Sequence, residues 1–258
     1  MTGRTIVLAH GILGFGEFTI PFINYFNGVA AHVHRRSGHT VIAPQVNPIG
    51  SVAHRGGELA TVILAQPKAS GKLHVVAHSM GGLDARHAIT NVHGVSERVA
   101  TLVTIGTPHR GSPVADAIVK GTGPILEHIP HWLKEQLQSN SEGLRDLTTV
   151  VASQFDVATP DVHGVRYVEV AGDASRGGHE LFLFSLAAAI GQIEGINDGV
   201  VTRASALRNG HEHLPDWPVD HAGEVGWSVT SPVPIEVELP LVPAPPHFAR
   251  YDAIVDAL

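Results

Sequence analysis

Val75-Val76-Ala77-His78-Ser79-Met80-Gly81-Gly82 sets one serine between an apolar run and a glycine-led segment. Leu73 to Ala77 read as a short buried strand, and Gly81 to Ala88 continue as an amphipathic helix. Ser79 therefore falls on the turn between them, the strand–serine–helix context that a G-x-S-x-G nucleophile elbow requires. The turn forces the serine into strained backbone angles, so the residues two positions either side must be small. Here they are Ala77 and Gly81, and alanine departs from the strict glycine pattern by a single methyl group. An ordinary strand–helix turn is the bland alternative. The strand, the helix start and a second glycine, Gly82, for close packing favour the elbow.

Composition bounds the rest. A chain of 258 residues suits one α/β domain spanning 1–258. Hydrophobic residues make up 43% and charged residues 16%, enough for a large core and too apolar for disorder. The net charge of −7 and the lack of a basic cluster argue against a nucleic-acid partner. With no cysteine, disulfides and thiolate metal sites are excluded. Met1 to Arg4 lead directly into the first strand and leave no room for a signal peptide. A cytoplasmic location is the expectation, with secretion without a cleaved signal peptide as the alternative. The longest apolar run, Leu181 to Ile190, is too short to span a bilayer.

Along the chain, strands and helices alternate. Thr5 to Ala9, Thr40 to Ala43, Leu73 to Ala77 and Leu102 to Ile105 are short apolar runs rich in β-branched residues, and Val165 to Ala171 alternates like a strand. Pro21 to Ser37 reads as a helix closed by Gly38, and Leu59, Val62 and Ile63 mark another that stops before Pro67. Such alternation implies a mostly parallel sheet with helices on both faces. Gly111 to Thr149 breaks the rhythm by holding no strand, and Pro232 to Pro246 reads as a proline-rich surface crossing. Phe248, Tyr251, Val255 and Leu258 recur at helical spacing and give a C-terminal helix.

Taken together, several motifs resemble a known family. His10-Gly11-Ile12-Leu13-Gly14-Phe15, the Ser79 elbow, Thr107-Pro108-His109-Arg110-Gly111-Ser112, Asn197-Asp198-Gly199-Val200-Val201 and Asp220-His221 look like the Pseudomonas, Burkholderia and Proteus type of bacterial true lipase. They follow the order Ser, Asp, His that α/β-hydrolases use. The resemblance runs from Val7 to the C-terminal helix and is weakest over Lys120 to Ser141 and the proline-rich segment. It implies an α/β-hydrolase fold with a helical lid at about 112–149, and a serine ester hydrolase, above all a triacylglycerol lipase. A carboxylesterase for short soluble esters and a catalytically inert hydrolase-fold binding protein are the alternatives. The implied partner is a lipid or ester substrate, with transient contact with a lipid surface through the lid; no cofactor is implied, and the oligomeric state is not readable.

The chemistry assigns the candidates. A serine hydroxyl is a poor nucleophile at neutral pH and needs a base to take its proton. Of 18 histidines, His221 has the family's spacing from Asp198 and loop-like neighbours; His211 and His213 are its rivals. For the acid, Asp173 competes with Asp198, because it directly follows the strand Val165 to Ala171. The resemblance favours Asp198. Attack on an ester carbonyl builds an oxyanion, stabilised by backbone amides worth roughly 3 kcal/mol each. The amide after the nucleophile belongs to Met80, and the resemblance makes Ile12 the second donor. Leu13, Phe15 and His78 are the substrate-binding candidates. Arg55-Gly56 resembles a family pair whose arginine braces the Ile12 loop, against the reading of Arg55 as a solvated surface residue.

Ile125, Leu126, Ile129, Trp132, Leu133 and Leu137 recur at helical spacing in the strandless insertion, interrupted by Pro130. The resemblance makes this stretch the lid, and a plain surface helix packed on the core is the alternative. Relatives of the Pseudomonas and Burkholderia type bind calcium through an aspartate two residues after the histidine, where this chain has Gly223. Glycine offers only a carbonyl to an ion that needs about six to eight oxygens. No metal is therefore expected, unless Glu224 and Asp173 build a variant site.

Overall fold

The computed structural model describes residues 4–12, 25–68, 71–129, 131–138, 141–177, 183–227 and 246–258. The elements run β1 (Thr5–Ala9), α1 (Val29–Ser37), β2 (Thr40–Ile42), α2 (Val52–Ala65), β3 (Leu73–His78), α3 (Met80–Asn91), α4 (Val95–Arg98) and β4 (Val99–Ile105). The insertion supplies α5 (Pro113–Lys120), α6 (Pro124–His128), α7 (His131–Gln138) and α8 (Ser141–Asp146). Then come α9 (Thr149–Ala158), β5 (Arg166–Val170), α10 (Phe184–Glu194), α11 (Arg203–Ala206), β6 (Glu212–His213) and α12 (Pro246–Ala257). The strands form one sheet in the order β2-β1-β3-β4-β5-β6, with every neighbouring pair parallel.

The two-residue period of a strand sorts its side chains onto two cores. Val7, Ala9, Val75 and Ala77 face one side and pack against Leu59, Ala60 and Ile63 of α2 and Ala85, Ala88 and Ile89 of α3. Ile6, Leu8 and Val76 face the other, against Val29 and Val33 of α1 and Phe248, Tyr251 and Ile254 of α12. Each fully buried side chain of this size contributes about 1.5–3 kcal/mol of transfer free energy. Ser51 starts α2 by accepting from the His54 amide, and Gly38 closes α1 at φ 68°.

β1 has the expected bounds, β2 and β3 differ by one residue at their C-terminal ends, β5 is one residue shorter at each end, and β4 begins three residues earlier than expected, at Val99. The expected helix Pro21 to Ser37 is corrected at its start: 25–28 form a turn, with Asn27 at φ 36° and Gly28 at φ 82° in the left-handed region, so α1 begins only at Val29, and 21–24 lie outside the described residues, as does the proline-rich segment up to Pro246. β6, only two residues on the sheet edge, carries no readable alternation. The insertion is helical as expected, with no strand among its described residues. No described helix is long and apolar enough to cross a membrane.

The topology positions the site. From β1 the chain steps to β2 on one side, and β3 then returns to β1's other side. The connections after β1 and β3 thus leave in opposite directions, opening the crevice at the carboxyl ends of the strands where α/β sheets bind ligands. Over that crevice α5, α7, α8 and α10 build a third apolar core with Met80 and Leu83.

Candidate active site

Ser79 sits between β3 and α3 at φ 56°, ψ −132°, a backbone state that costs a non-glycine residue about 1–3 kcal/mol. The surroundings hold it there: its amide donates to the Ile105 carbonyl at 2.9 Å, and the Thr107 hydroxyl donates to its carbonyl at 2.9 Å. A Cβ at Gly81 would stand 2.5 Å from the Ala9 carbonyl oxygen, so only glycine lets the turn press this close to β1. Ala77 is fully buried in the strand, and its methyl fits the core beneath the turn.

The loop after β1 is locked from below. His10 Nε2 accepts from the Val46 amide at 3.1 Å, which leaves Nδ1 to donate to the Gly11 carbonyl at 2.9 Å. Burial pushes the His10 pKa down to about 4, so this bridge is neutral. Arg55 is fully buried rather than solvated, which corrects that competing reading. Its guanidinium donates to the His10 carbonyl (2.7 Å), the Asn47 carbonyl (2.7 Å) and the Asp84 carboxylate (2.8 Å). Neither the Ile12 amide nor the Met80 amide has a protein acceptor among the described residues, and the Met80 amide heads α3. Leu13 and Phe15 lie outside the described residues.

Asp198 meets His221, with Nδ1 2.8 Å from its Oδ2. The other carboxylate oxygen accepts from the Val200 and Val201 amides at 2.8 and 2.7 Å, which fixes the carboxylate's plane. Asp173 is buried but turned elsewhere: its Oδ1 accepts from the amide and hydroxyl of Ser175. His211 pairs with Glu169 and Asp161, and His213 with Glu169 and the Arg208 carbonyl. Neither histidine lines the cavity on which Ser79 opens. Geometry thus brings Ser79, Asp198 and His221 to one place, and leaves Asp173, His211 and His213 out of it. The described residues include no hydrogen bond between Ser79 and His221; both open on the same space.

Two participants escape a reading of the sequence. Glu224, fully buried, places Oε2 2.9 Å from His78 Nε2 and 3.3 Å from His221 Nδ1. The Tyr25 hydroxyl lies 2.6 Å from the remaining His78 nitrogen. Burial drives the His78 pKa well down, so its ring is neutral: Nε2–H donates to Glu224, and Nδ1 accepts from Tyr25. His78 is thereby tied into the site's floor while it also lines the cavity. Gly106, at φ 53°, gives Glu224 its room, because a Cβ there would run into Oε2. The readable signal for Glu224 is its spacing: three residues after His221, on the single turn Gly223–Val225, it comes back beside the imidazole.

Electrostatics follow. Burial alone would lower the His221 pKa, but Asp198 and Glu224 outweigh it and raise the pKa to about 10. Burial holds both carboxyls above their ordinary values, with the imidazolium opposing it. Among the described residues, potential ligand atoms of His78, His221 and Glu224 lie within 4.8 Å of one another. Two nitrogens and one oxygen suit a transition metal rather than calcium. The two carboxylates considered for a variant calcium site face different partners: Glu224 points inward to His78, and Asp173 Oδ1 accepts from Ser175.

The cavity measures about 310 Å³. Ser79, His221 and Ile12 share its wall with Leu137, Leu144 and Leu147 of the insertion.

The chain superposes on the mature lipase BlEst2 of Bacillus licheniformis with a TM-score of 0.69, covering 87% of each chain at 24% identity. It has the α/β-hydrolase fold. Within that hydrolase fold, residues 59–161 match the PGAP1-like alpha/beta domain. Triacylglycerol lipase 2 of Saccharomyces cerevisiae is 29% identical over 213 residues, 80% of this chain and 63% of that protein. A triacylglycerol lipase of Vibrio cholerae is 29% identical over 206 residues, 67% of this chain and 64% of that protein. The chain spans less than two thirds of the length of either relative.

Proposed function

We propose that this chain is a serine carboxylic-ester hydrolase, a lipase of the Pseudomonas, Burkholderia and Proteus type acting on acylglycerols. The observation that carries the reading is the strained Ser79 and the Asp198–His221 pair opening on one apolar cavity. The likeness to triacylglycerol lipases supports the same substrate class.

In the first step His221 Nε2 takes the Ser79 Oγ proton as Oγ bonds to the ester carbonyl carbon. Asp198 holds the opposite nitrogen and stabilises the imidazolium. The oxyanion accepts from the amides of Ile12 and Met80. Collapse breaks the bond to the alkoxy oxygen, which leaves with the proton from His221. Water then gives a proton to His221 and attacks the acyl-enzyme, releasing the fatty acid and restoring Ser79.

The insertion acts as a cover. Ile125 of α6, Ile129 just after it and Leu137 of α7 are buried in the third core, Leu137 lines the cavity, and lipid contact would draw this segment off it. The side chains of Trp132 and Leu133, in the same expected stripe, lie outside the described residues. Hydrolysis of tributyrin and triolein emulsions against a soluble acetate ester tests the reading. Emulsion turnover supports a lipase; turnover of the soluble ester alone makes the chain an esterase for short acyl groups. No turnover of any ester makes it a binding protein on this fold.

A further inference from the structure

The loop from Thr107 to Ser112 touches both turns that carry catalytic groups, yet has no part in the reaction steps themselves. At its start the Thr107 hydroxyl donates to the Ser79 carbonyl at 2.9 Å. At its end the Ser112 hydroxyl donates to the Val200 carbonyl at 2.6 Å, just beyond Asp198. Between them the Ser205 hydroxyl, on α11, donates to the Gly111 carbonyl at 2.7 Å and accepts from the Arg110 amide at 3.1 Å.

Ser112 grips one particular peptide. The Val200 carbonyl and the Val201 amide belong to a single planar trans unit, whose C=O and N–H point opposite ways. The carbonyl accepts from Ser112 Oγ, and the amide donates to Asp198 Oδ1 at 2.7 Å. The other oxygen of that carboxylate holds His221 Nδ1 at 2.8 Å. A hydroxyl donating to the carbonyl fixes the plane of the peptide and polarises its N–H, as hydrogen bonds in series do. Ser112 is itself held. Its amide donates to the Leu147 carbonyl at 2.9 Å. Its Oγ, the N-cap of α5, accepts from the Val114 and Ala115 amides at 3.2 and 3.4 Å, which leaves its proton for Val200. Nearby the Thr149 amide and hydroxyl donate to the Asp116 carboxylate at 3.0 and 2.7 Å and staple the two ends of the insertion together.

We propose that Ser112 is a positioning residue for the catalytic acid: through the Val200–Val201 peptide it sets the plane in which Asp198 meets His221. The proposal rests on the ester-hydrolase reading above. Although Ser112 lines the cavity, its hydroxyl proton is spent on Val200. Its effect therefore falls on kcat, where the imidazolium forms, rather than on substrate binding.

The test is a double-mutant cycle between Ser112→Gly and Asp198→Asn, read as kcat and KM for p-nitrophenyl butyrate on the full chain. Glycine is nearly as good an N-cap as serine, so this change removes the donor and leaves α5 its start. With Asp198 present, Ser112→Gly should lower kcat about fivefold, the worth of one hydrogen bond, and leave KM within about twofold. In the Asp198→Asn background the same change should lower kcat by less than about twofold, because the acid it positions is gone. If Ser112→Gly fails to fold, Ser112→Ala takes its place; any loss of the cap weighs on both backgrounds alike and cancels from the cycle. An unchanged kcat in Ser112→Gly, or the same loss in both backgrounds, overturns the positioning role while leaving an ester hydrolase. No turnover of any ester by the wild type, with no labelling of Ser79 by an alkyl phosphonate, overturns the enzymatic reading instead.

Discussion

Glu224 Oε2 stands 3.3 Å from His221 Nδ1, the nitrogen that Asp198 already holds at 2.8 Å. One imidazole therefore faces two buried carboxylates. Removing the nearer one should still be severe, because an amide at Asp198 supports neither the required tautomer nor the imidazolium. Asp198→Asn should lower kcat by about 10³–10⁴, Glu224→Gln by about tenfold, and the double variant beyond either. Asp173→Asn should change kcat little. Steady-state kinetics on a soluble ester check the order, and a larger loss at Asp173 would reassign the acid.

The same pair fixes a pH dependence. His221 is a base only when unprotonated, and its pKa is raised from 6.5 to about 10. Activity should accordingly rise with pH along a limb above the ordinary histidine range. Glu224→Gln removes one carboxylate that stabilises the imidazolium, so its limb should shift to lower pH. The linked stability has the matching sign: fully present below pH 6.5, it is lost as pH climbs toward 10. A kcat/KM profile with its midpoint unmoved in Glu224→Gln would exclude this coupling.

Arg55 ties three segments of the chain into one brace, donating to His10, Asn47 and Asp84 from a fully buried position. Arg55→Met leaves Asp84 as an uncompensated buried charge and frees the Ile12 loop. The expected cost is about 3 kcal/mol or more, read as a melting temperature lower by at least about 6 °C. Loss of kcat should accompany it. A thermal melt unchanged from wild type would show that the brace contributes nothing.

Calcium should be dispensable. Gly223 offers no carboxylate where the resembled lipases have one, Glu224 is turned to His78 and His221, and Asp173 is held by Ser175. Excess EDTA should leave melting and hydrolysis unchanged relative to millimolar calcium. A melting temperature several degrees lower in EDTA, restored by calcium, would reveal a site built from other groups.

Local pattern made much of this molecule readable. The short apolar run Ile6, Val7 and Leu8 marks a buried strand, and the run from Leu73 through Gly82 marks strand, elbow and helix without any distant partner. What escaped depends on contacts between remote positions. Tyr25 meets His78 across 53 residues of chain, and His78 meets Glu224 across 146. Read in sequence, Glu224 is a candidate calcium carboxylate; folded, it turns inward because Gly106 leaves space for it. Asp173 and Asp198 could not be separated by residue type, since both end up buried on loops, one after β5 and the other after α10. Only the 2.8 Å contact with His221 distinguishes them.

The central claim is that Ser79 is the nucleophile, and covalent labelling tests it most directly. After incubation with a p-nitrophenyl alkyl phosphonate, intact mass and peptide mapping should find one adduct per chain, on Ser79. Ser79→Ala should take up no label and hydrolyse no ester while keeping its wild-type circular dichroism. An adduct on another residue, or substantial turnover by a pure Ser79→Ala protein, would contradict it.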